Sequence, residues 1–320
     1  MRYKVLATDK VSAEGLSLLH QDDRFDVTHI EDSSSDAFFE TLKIADALVV
    51  RSATSIASGM IESARELKVI GRAGVGIDNV DVEAATARGI AVYNAPGGNT
   101  IAAAEMTMAL MLALIRKIPA AERSVRDGLW DRAAFKGNEL AGGTLGLIGA
   151  GRIGGEVAKR CQAFGMDRIV YDPYLTDERA TEIDVRLVDL DDVLGNSDVI
   201  SIHVPLTDET RGLLGDEAFS RMKNGVFVIN ASRGGVIDEA ALARALAGGE
   251  IAGAALDVYE HEPLPDDSSL RDAPNLILTP HLAGSTAEAQ VEVAREVAAH
   301  VVRCLGHGDR GGALNAAQLR

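Results

Sequence analysis

Three short segments of this 320-residue chain carry side chains able to move a proton while holding an anion. They are Val228-Ile-Asn-Ala-Ser-Arg-Gly-Gly235, Leu256-Asp-Val-Tyr-Glu-His-Glu-Pro263 and Leu278-Thr-Pro-His-Leu-Ala-Gly-Ser-Thr286. Together they supply an arginine, several carboxylates and a histidine. Each begins in an apolar run that reads as a strand. All three therefore fall at strand C-termini, the edge where open α/β sheets bind ligands. Oxidising an alcohol to a ketone needs these residue types. A base takes the hydroxyl proton as hydride leaves carbon, and histidine, with an unperturbed pKa of about 6.5, suits that role. A neighbouring carboxylate fixes the ring tautomer. An arginine fork grips a substrate carboxylate through two hydrogen bonds and polarises the carbonyl oxygen.

A fourth segment, Leu147-Ile-Gly-Ala-Gly-Arg-Ile-Gly-Gly-Glu156, reads as a strand end, a glycine turn and a helix start. Arg168-Ile-Val-Tyr-Asp172 then reads as a second strand ending in an acid. That is the layout of a dinucleotide-binding βαβ unit. Gly149 permits the tight turn, Gly151 lets the backbone approach a pyrophosphate, and Gly154 lets the helix pack close to the strand. The helix N-terminus offers free N–H groups and a favourable dipole to that anion. Asp172 is expected to accept hydrogen bonds from ribose hydroxyls and to repel a 2′-phosphate, favouring NAD over NADP. In a chain with 32 glycines such a motif is weak alone. Gly71-Arg-Ala-Gly-Val-Gly76 looks similar, but no clean amphipathic helix begins at Gly76, and Asp78-Asn79 suggest a turn.

The elements that position these segments alternate between short apolar runs and helical patterns, the α/β signature. A first set of strands reads Tyr3–Thr8, Phe25–His29, Asp46–Arg51, Leu67–Arg72 and Ile90–Asn94, with helices at Ser12–His20 and Val82–Arg88. A second set reads Thr144–Gly149, Arg168–Asp172, Asp198–His203, Gly225–Asn230, Gly253–Val258 and Leu276–Thr279. The expected fold class is α/β: two Rossmann-like or flavodoxin-like open parallel-sheet domains with a cleft between them. Residues 1–95 plus 287–320 are expected to form a substrate-binding domain and 96–286 an NAD-binding domain. A helix from Thr100 to Ile118 crosses between them, and a last helix, Ala287–Leu305, returns to the first. The chain stops soon after that helix, so no C-terminal regulatory domain is expected.

A net charge of −16 argues against nucleic acid or an anionic membrane as partner. The N-terminus runs directly into a strand without a signal-peptide pattern, and a cytoplasmic location is expected. The apolar stretch from Ile101 to Ile118 contains Glu105 and ends in Arg116-Lys117, which marks a buried or interface helix rather than a membrane span. Cys161 and Cys304 form no metal-ligand pattern and read as reduced thiols, and no metal is expected.

Further motifs join these: Arg51-Ser-Ala-Thr54, Gly71-Arg-Ala-Gly-Val-Gly-Ile-Asp-Asn-Val-Asp81, Asn94-Ala-Pro96, His203-Val-Pro-Leu-Thr207 and Thr279-Pro-His281. With them the chain resembles the D-isomer-specific 2-hydroxyacid dehydrogenases, nearest the D-3-phosphoglycerate dehydrogenase branch. The resemblance implies that His281 is the acid/base, Glu262 its carboxylate partner and Arg233 the cation on the substrate. Glu262 is preferred over Glu260 because it directly precedes Pro263. Gly149, Gly151, Arg152, Ile153, Gly154, Asp172, His203, Val204, Pro205, Ala231, Ser232 and Asp257 are implied to line the NAD site. Arg51, Ser52 and the backbone of Arg72, Ala73, Gly74, Val75 and Gly76 are implied to face the substrate, with the second glycine run holding an anion. Trp130 reads as a structural anchor or a subunit contact, and Arg132 as a residue reaching a neighbouring active site.

The implied partners are a small anionic 2-hydroxy or 2-keto acid and a second copy, as a homodimer or dimer of dimers. The surplus of arginines favours an anionic group on carbon 3. That points to D-3-phosphoglycerate and its oxidation to 3-phosphohydroxypyruvate, the first step of serine synthesis. 3-Sulfolactate oxidation and hydroxypyruvate or glyoxylate reduction are the alternatives within the class. An NAD-sensing, corepressor-like interaction protein is the alternative outside it.

Overall fold

The computed structural model describes residues 2–319; Met1 and Arg320, the outer ends of the first expected domain, lie outside the described residues. The chain divides into two compact units, one running to Thr100 and resuming at Gly284, the other spanning Ile101–Ala283. The exchange points expected from sequence are 95/96 and 286/287.

The first unit alternates β1 (Tyr3–Ala7), α1 (Ser17–His20), β2 (Phe25–His29), α2 (Asp36–Leu42), β3 (Ala47–Val50), α3 (Ser58–Ser63), β4 (Val69–Arg72), α4 (Val82–Ala87) and β5 (Ala91–Tyr93). Its five strands are parallel, in the order β2-β1-β3-β4-β5. This is the flavodoxin-like order, with its switch point between β1 and β3. β3 is buried along its whole length, as an inner strand covered on both faces must be.

The second unit holds α5 (Thr100–Ile115), α6 (Ile118–Arg126), β6 (Thr144–Ile148), α7 (Arg152–Ala163), β7 (Asp167–Tyr171), α8 (Asp177–Glu182), β8 (Arg186–Leu187), α9 (Leu190–Asn196) and β9 (Val199–Ile202). It continues through α10 (Asp216–Arg221), β10 (Phe227–Asn230), α11 (Glu239–Gly248), β11 (Gly253–Leu256) and β12 (Leu276–Leu278). Its seven strands lie in the order β12-β11-β10-β9-β6-β7-β8, the dinucleotide-binding order with one added strand. The switch point falls between β6 and β9, where the glycine turn leaves β6.

α12 (Ala287–His307) closes the chain on the first unit. Thr286 caps it by accepting from the Ala289 N–H, and Gly308 ends it in the left-handed region. Its apolar face, Val293, Val297 and Val301, enters the core formed by Val5, Val69 and Ala91. Gly71 allows this approach, since a Cβ there would lie 2.2 Å from Val297 Cγ1.

Two sequence expectations are corrected, and one strand goes unanticipated. The helix expected at Ser12–His20 is helical only from Ser17. Gly15 presses on α12, where a Cβ would lie 2.4 Å from Ala294 Cβ, and glycine is a poor helix former. The single helix expected from Thr100 to Ile118 breaks after Ile115, with Lys117 at φ +53° and Pro119 in the first turn of α6. Proline has no N–H and its ring clashes inside a running helix, but it fits a first turn. The edge strand β8, two exposed residues long, has no apolar run to announce it.

No helix among the described residues is long and apolar enough to cross a membrane. Both cysteines are free and buried. Burial pushes the Cys161 thiol up to about 12 and raises Cys304 as well. Near neutral pH both thiols therefore stay protonated and shielded. Iodoacetamide should leave them unmodified in the native protein and alkylate both in denaturant, as intact-mass measurement would show. Native-state alkylation at a rate matching the denatured chain would contradict this.

Candidate active site

The dinucleotide turn is built as its glycines require. Gly149 takes φ +88°, and a Cβ there would lie 2.7 Å from the His203 carbonyl oxygen. At Gly154 a Cβ would lie 2.5 Å from the Gly149 carbonyl oxygen, so α7 packs directly on the turn. At Gly151 a Cβ would meet nothing within 4 Å, leaving the backbone open to a ligand where α7 begins at Arg152 and Ile153. Asp172 stands at the end of β7. Its Oδ2 accepts from the Ala150 N–H at 2.9 Å and its Oδ1 from the Tyr174 N–H at 2.9 Å. The carboxylate thus fixes the glycine turn and retains acceptor capacity for hydroxyls. These residues fit an adenine dinucleotide: an open N-terminal cradle for the pyrophosphate and an acid for the ribose.

His203 follows β9, and its Nε2 lies 2.8 Å from Ser201 Oγ. Burial pushes the His203 ring down to about 4, so it is neutral at physiological pH. Val204 flanks Gly149, and Pro205 caps the next turn by accepting from Thr210 Oγ1 at 2.6 Å. After β10, Ala231 is buried and Ser232 donates through both N–H and Oγ to Asn230 Oδ1, at 3.0 and 2.8 Å.

The catalytic candidates leave the same edge of three adjacent parallel strands, where Asn230, Leu256 and Leu278 stand in register. His281 Nδ1 lies 2.7 Å from Glu262 Oε2. Glu262 Oε1 accepts from the Tyr259 N–H at 3.1 Å, so both of its oxygens are used. This pairing holds the ring orientation and leaves Nε2 as the nitrogen to exchange a proton with a ligand. The imidazole is half exposed (side chain 51%) and borders a hollow of about 570 Å³, also lined by Leu264, Arg271 and Leu278. Glu260 instead offers its N–H to Glu239 Oε1 at 2.6 Å, and His261 is exposed.

His281 has a left-handed backbone, φ +54°, uncommon for a residue with a side chain. Asp257 braces it. This fully buried carboxylate accepts from Thr279 Oγ1 (2.5 Å) and the Leu282 N–H (2.8 Å) on one oxygen and from the Ala283 N–H (2.8 Å) on the other. The Asp257 side chain is thus committed to the histidine loop. Tyr259, to which the sequence motifs assign no role, ties the same parts together. Its hydroxyl donates to the Thr279 carbonyl at 2.9 Å while its N–H holds Glu262.

Arg233 sits on the turn after β10. Its Nη1 donates to the Ser232 carbonyl at 2.7 Å, and its own carbonyl accepts from Asn230 Nδ2 at 2.9 Å. The next residue, Gly234, lies so close to the Tyr259 carbonyl that a Cβ would be 1.8 Å from its oxygen. The arginine turn and the glutamate loop therefore touch backbone to backbone.

In the first unit, Arg51 and Ser52 follow β3, and Arg72 ends β4. Gly74 carries φ +152° and lies under the Arg72 guanidinium, where a Cβ would be 1.7 Å from Nη1. Ala73 is buried, and its N–H donates to the Val50 carbonyl at 2.7 Å. Among the described residues, the N–H groups of Ser52, Val75 and Gly76 donate to no backbone carbonyl. Arg132 and Trp130 lie on the exposed segment after α6. Trp130, 81% exposed, anchors nothing in the core of its own chain, which corrects one of its two expected roles. Among the described residues no cluster could hold a metal ion.

Residues 108–283 match the family described as "D-isomer specific 2-hydroxyacid dehydrogenase, NAD binding domain". The chain is 50% identical over 299 residues to a D-3-phosphoglycerate dehydrogenase of Archaeoglobus fulgidus, covering 93% of this chain and 56% of that one. It thus spans about half the length of the curated relatives it matches. A solved protein of Thermus thermophilus superposes with a TM-score of 0.87 at 33% identity, covering 97% of this chain and 99% of the other. The D-lactate dehydrogenase of Aquifex aeolicus, solved with NAD and lactic acid, does so with 0.80 at 31% identity, covering 95% and 96%. With the dinucleotide turn, the paired histidine and glutamate and the arginine turn in place on this fold, the chain belongs to the D-isomer specific 2-hydroxyacid dehydrogenases.

Proposed function

We propose that the chain interconverts a D-2-hydroxy acid and its 2-keto acid with NAD, and that its substrate is D-3-phosphoglycerate. The observation that carries the reading is the 2.7 Å contact of His281 Nδ1 with Glu262 Oε2, set beside an arginine turn at the ligand-binding edge of a dinucleotide fold. Bound NAD supplies the hydride acceptor. Gly149, Gly151, Arg152, Ile153 and Gly154 hold its pyrophosphate, and Asp172 its ribose. His203, Val204, Pro205, Ala231, Ser232 and Asp257 stand around the same strand edge.

His281 Nε2 takes the substrate hydroxyl proton in oxidation and returns it in reduction. Glu262 keeps Nδ1–H engaged and stabilises the imidazolium that forms. Arg233 binds the carboxylate and the oxygen on which charge develops. Arg51, Ser52 and the Arg72–Gly76 turn are assigned to the second anionic group. The phosphoglycerate dehydrogenase named above is half identical in sequence, which supports the choice of substrate.

A second copy is proposed to cover the exposed Ile118, Val125, Leu129 and Trp130, which crowd one face of α6 and the following turn. Light scattering showing a monomer at micromolar concentration would end that part of the proposal. Free, buried thiols fit a reducing compartment such as the cytoplasm.

The deciding experiment is an NADH-formation assay over D- and L-2-hydroxy acids, including phosphorylated and sulfonated three-carbon members. Highest kcat/KM on D-3-phosphoglycerate supports the assignment, and preference for D-3-sulfolactate or an unsubstituted acid replaces the substrate. Tight NADH binding without turnover on any member favours an NAD-sensing role.

The cofactor preference is a separate expectation. Asp172→Ala should lower the NAD-over-NADP ratio of kcat/KM by about tenfold or more, equivalent to ~1.4 kcal/mol. An unaltered ratio would remove the ribose role from Asp172.

A further inference from the structure

The first unit has its own topological switch point, between β1 and β3, the place where a flavodoxin-like sheet opens a crevice for a ligand. Here an internal anion fills it. Asp9, which follows β1 at φ +58°, turns its carboxylate onto the loop after β3. Oδ2 accepts from the N–H groups of Arg51 (2.9 Å) and Thr54 (3.1 Å), and Oδ1 accepts from Thr54 Oγ1 at 2.5 Å. Thr54 is buried, so these bonds are shielded from water.

From the other side Asn79 Nδ2 donates to both carbonyls of the same turn, Arg51 at 2.7 Å and Thr54 at 2.6 Å. A backbone bond from the Ile56 N–H to the Asn79 carbonyl (2.7 Å) and one from the Asp81 N–H to the Ile56 carbonyl (2.9 Å) extend the seam. The Arg51 turn is thus held at both ends, by Asp9 on one side and by the segment that also carries Arg72–Gly76 on the other. The two anion-facing loops form one body.

We infer that Asp9 and Asn79 are positioning residues that set the spacing between the Arg51–Ser52 turn and the Arg72–Gly76 turn, and through it the affinity for the distal anionic group of the substrate. The inference rests on the function proposed above. Neither residue touches the acid. Asp9 carries the wrong charge to do so and is consumed by the turn. Removing either residue lets one loop move against the other while the second unit, with the dinucleotide turn and His281, keeps its own bonds. The expected signature is weaker acid binding with near-normal cofactor binding, which a general loss of structure does not produce.

The test compares wild type with Asp9→Asn, Asn79→Ala, Thr54→Val and Thr54→Ser. Calorimetry reads D-3-phosphoglycerate binding in the presence of NADH, alongside NADH binding alone, melting temperature and steady-state kinetics. In Asp9→Asn the amide oxygen can still accept from the two N–H groups, but the charge is lost and Nδ2 can only donate to Thr54 Oγ1, so the hydroxyl must give up its own donation. That variant, Asn79→Ala and Thr54→Val should weaken acid binding and raise KM about 10- to 100-fold, with kcat within a few-fold and NADH affinity retained. Thr54→Ser, which keeps the hydroxyl, should restore affinity relative to Thr54→Val. Unchanged acid affinity in a folded Asp9→Asn protein overturns the inference. Parallel loss of acid affinity, NADH affinity and melting temperature also overturns it, because the residues are then merely structural. A wild type that binds the acid without turnover refutes the proposed function but leaves the positioning role to be judged on the binding constants. A wild type that neither binds nor turns over the acid refutes both.

Discussion

Replacing His281 with alanine should lower kcat about 10²- to 10⁴-fold, the range spanned by a positioned acid/base, while NADH binds as before. The asymmetry follows from how the loop is held. The backbone from Thr279 to Ala283 hangs on Asp257 through Thr279 Oγ1 and the Leu282 and Ala283 N–H groups, none of which involves the imidazole. Alanine carries the same Cβ as histidine at the left-handed φ of +54° but lacks histidine's relative preference for that region, so the loop bears a modest added strain. The variant should therefore fold and keep its glycine turn. Glu262→Gln is the companion measurement. The single glutamine oxygen can accept from Nδ1–H or from the Tyr259 N–H but not from both, so the charge opposite the imidazolium and one of the two bonds Glu262 makes are lost while the ring stays in place. Its kcat should fall between wild type and His281→Ala. Turnover by His281→Ala within about threefold of wild type would remove the histidine from the chemistry. A Glu262→Gln loss larger than that of His281→Ala would mean that the carboxylate, not the ring, carries the proton.

The parts legible in the sequence are those whose chemistry is written in local spacing. Gly149, Gly151 and Gly154 follow one another within a single turn, and each does what that spacing implies: a positive φ, an open backbone and a close helix contact. Glu262 wins over Glu260 because proline follows it, and its Oε2 meets His281. Alternating apolar runs announce both parallel sheets. What stays hidden depends on partners far apart in the chain. Asp9 binds residues 42 and 45 positions away, and a single aspartate after a strand carries no sign of that. Asn79 reads only as a turn former. Tyr259 resembles a core residue, yet its N–H and hydroxyl join the glutamate and histidine loops. The break between α5 and α6 is readable in principle, because Pro119 ends a helix that runs into it. The apolar stretch around it outweighs that signal.

Gly234→Ala should damage the proposed site from outside its reacting groups. An alanine Cβ would sit 1.8 Å from the Tyr259 carbonyl oxygen and 2.0 Å from its carbon, and 2.7 Å from the Glu260 nitrogen. All three are backbone atoms, so no side-chain rotation relieves the clash. The arginine turn and the glutamate loop must part. Overpacking of this kind costs roughly 1–3 kcal/mol. The displacement falls on Arg233 at one side and, through the Tyr259 N–H, on Glu262 at the other. A shift near 1 Å in a positioning element lowers rate by about 10²-fold, so kcat/KM should fall by at least that order while NADH affinity changes little. Gly195→Ala is the matched control. It lies on α9, a Cβ there meets nothing within 4 Å, and alanine favours a helix by about 1 kcal/mol over glycine. It should leave kcat/KM untouched and hold or raise the melting temperature. If Gly234→Ala keeps wild-type kcat/KM, the two loops do not need their backbone contact. The assembly of Arg233 with Glu262 and His281 would then have to arise from some other restraint than the Tyr259 bridge.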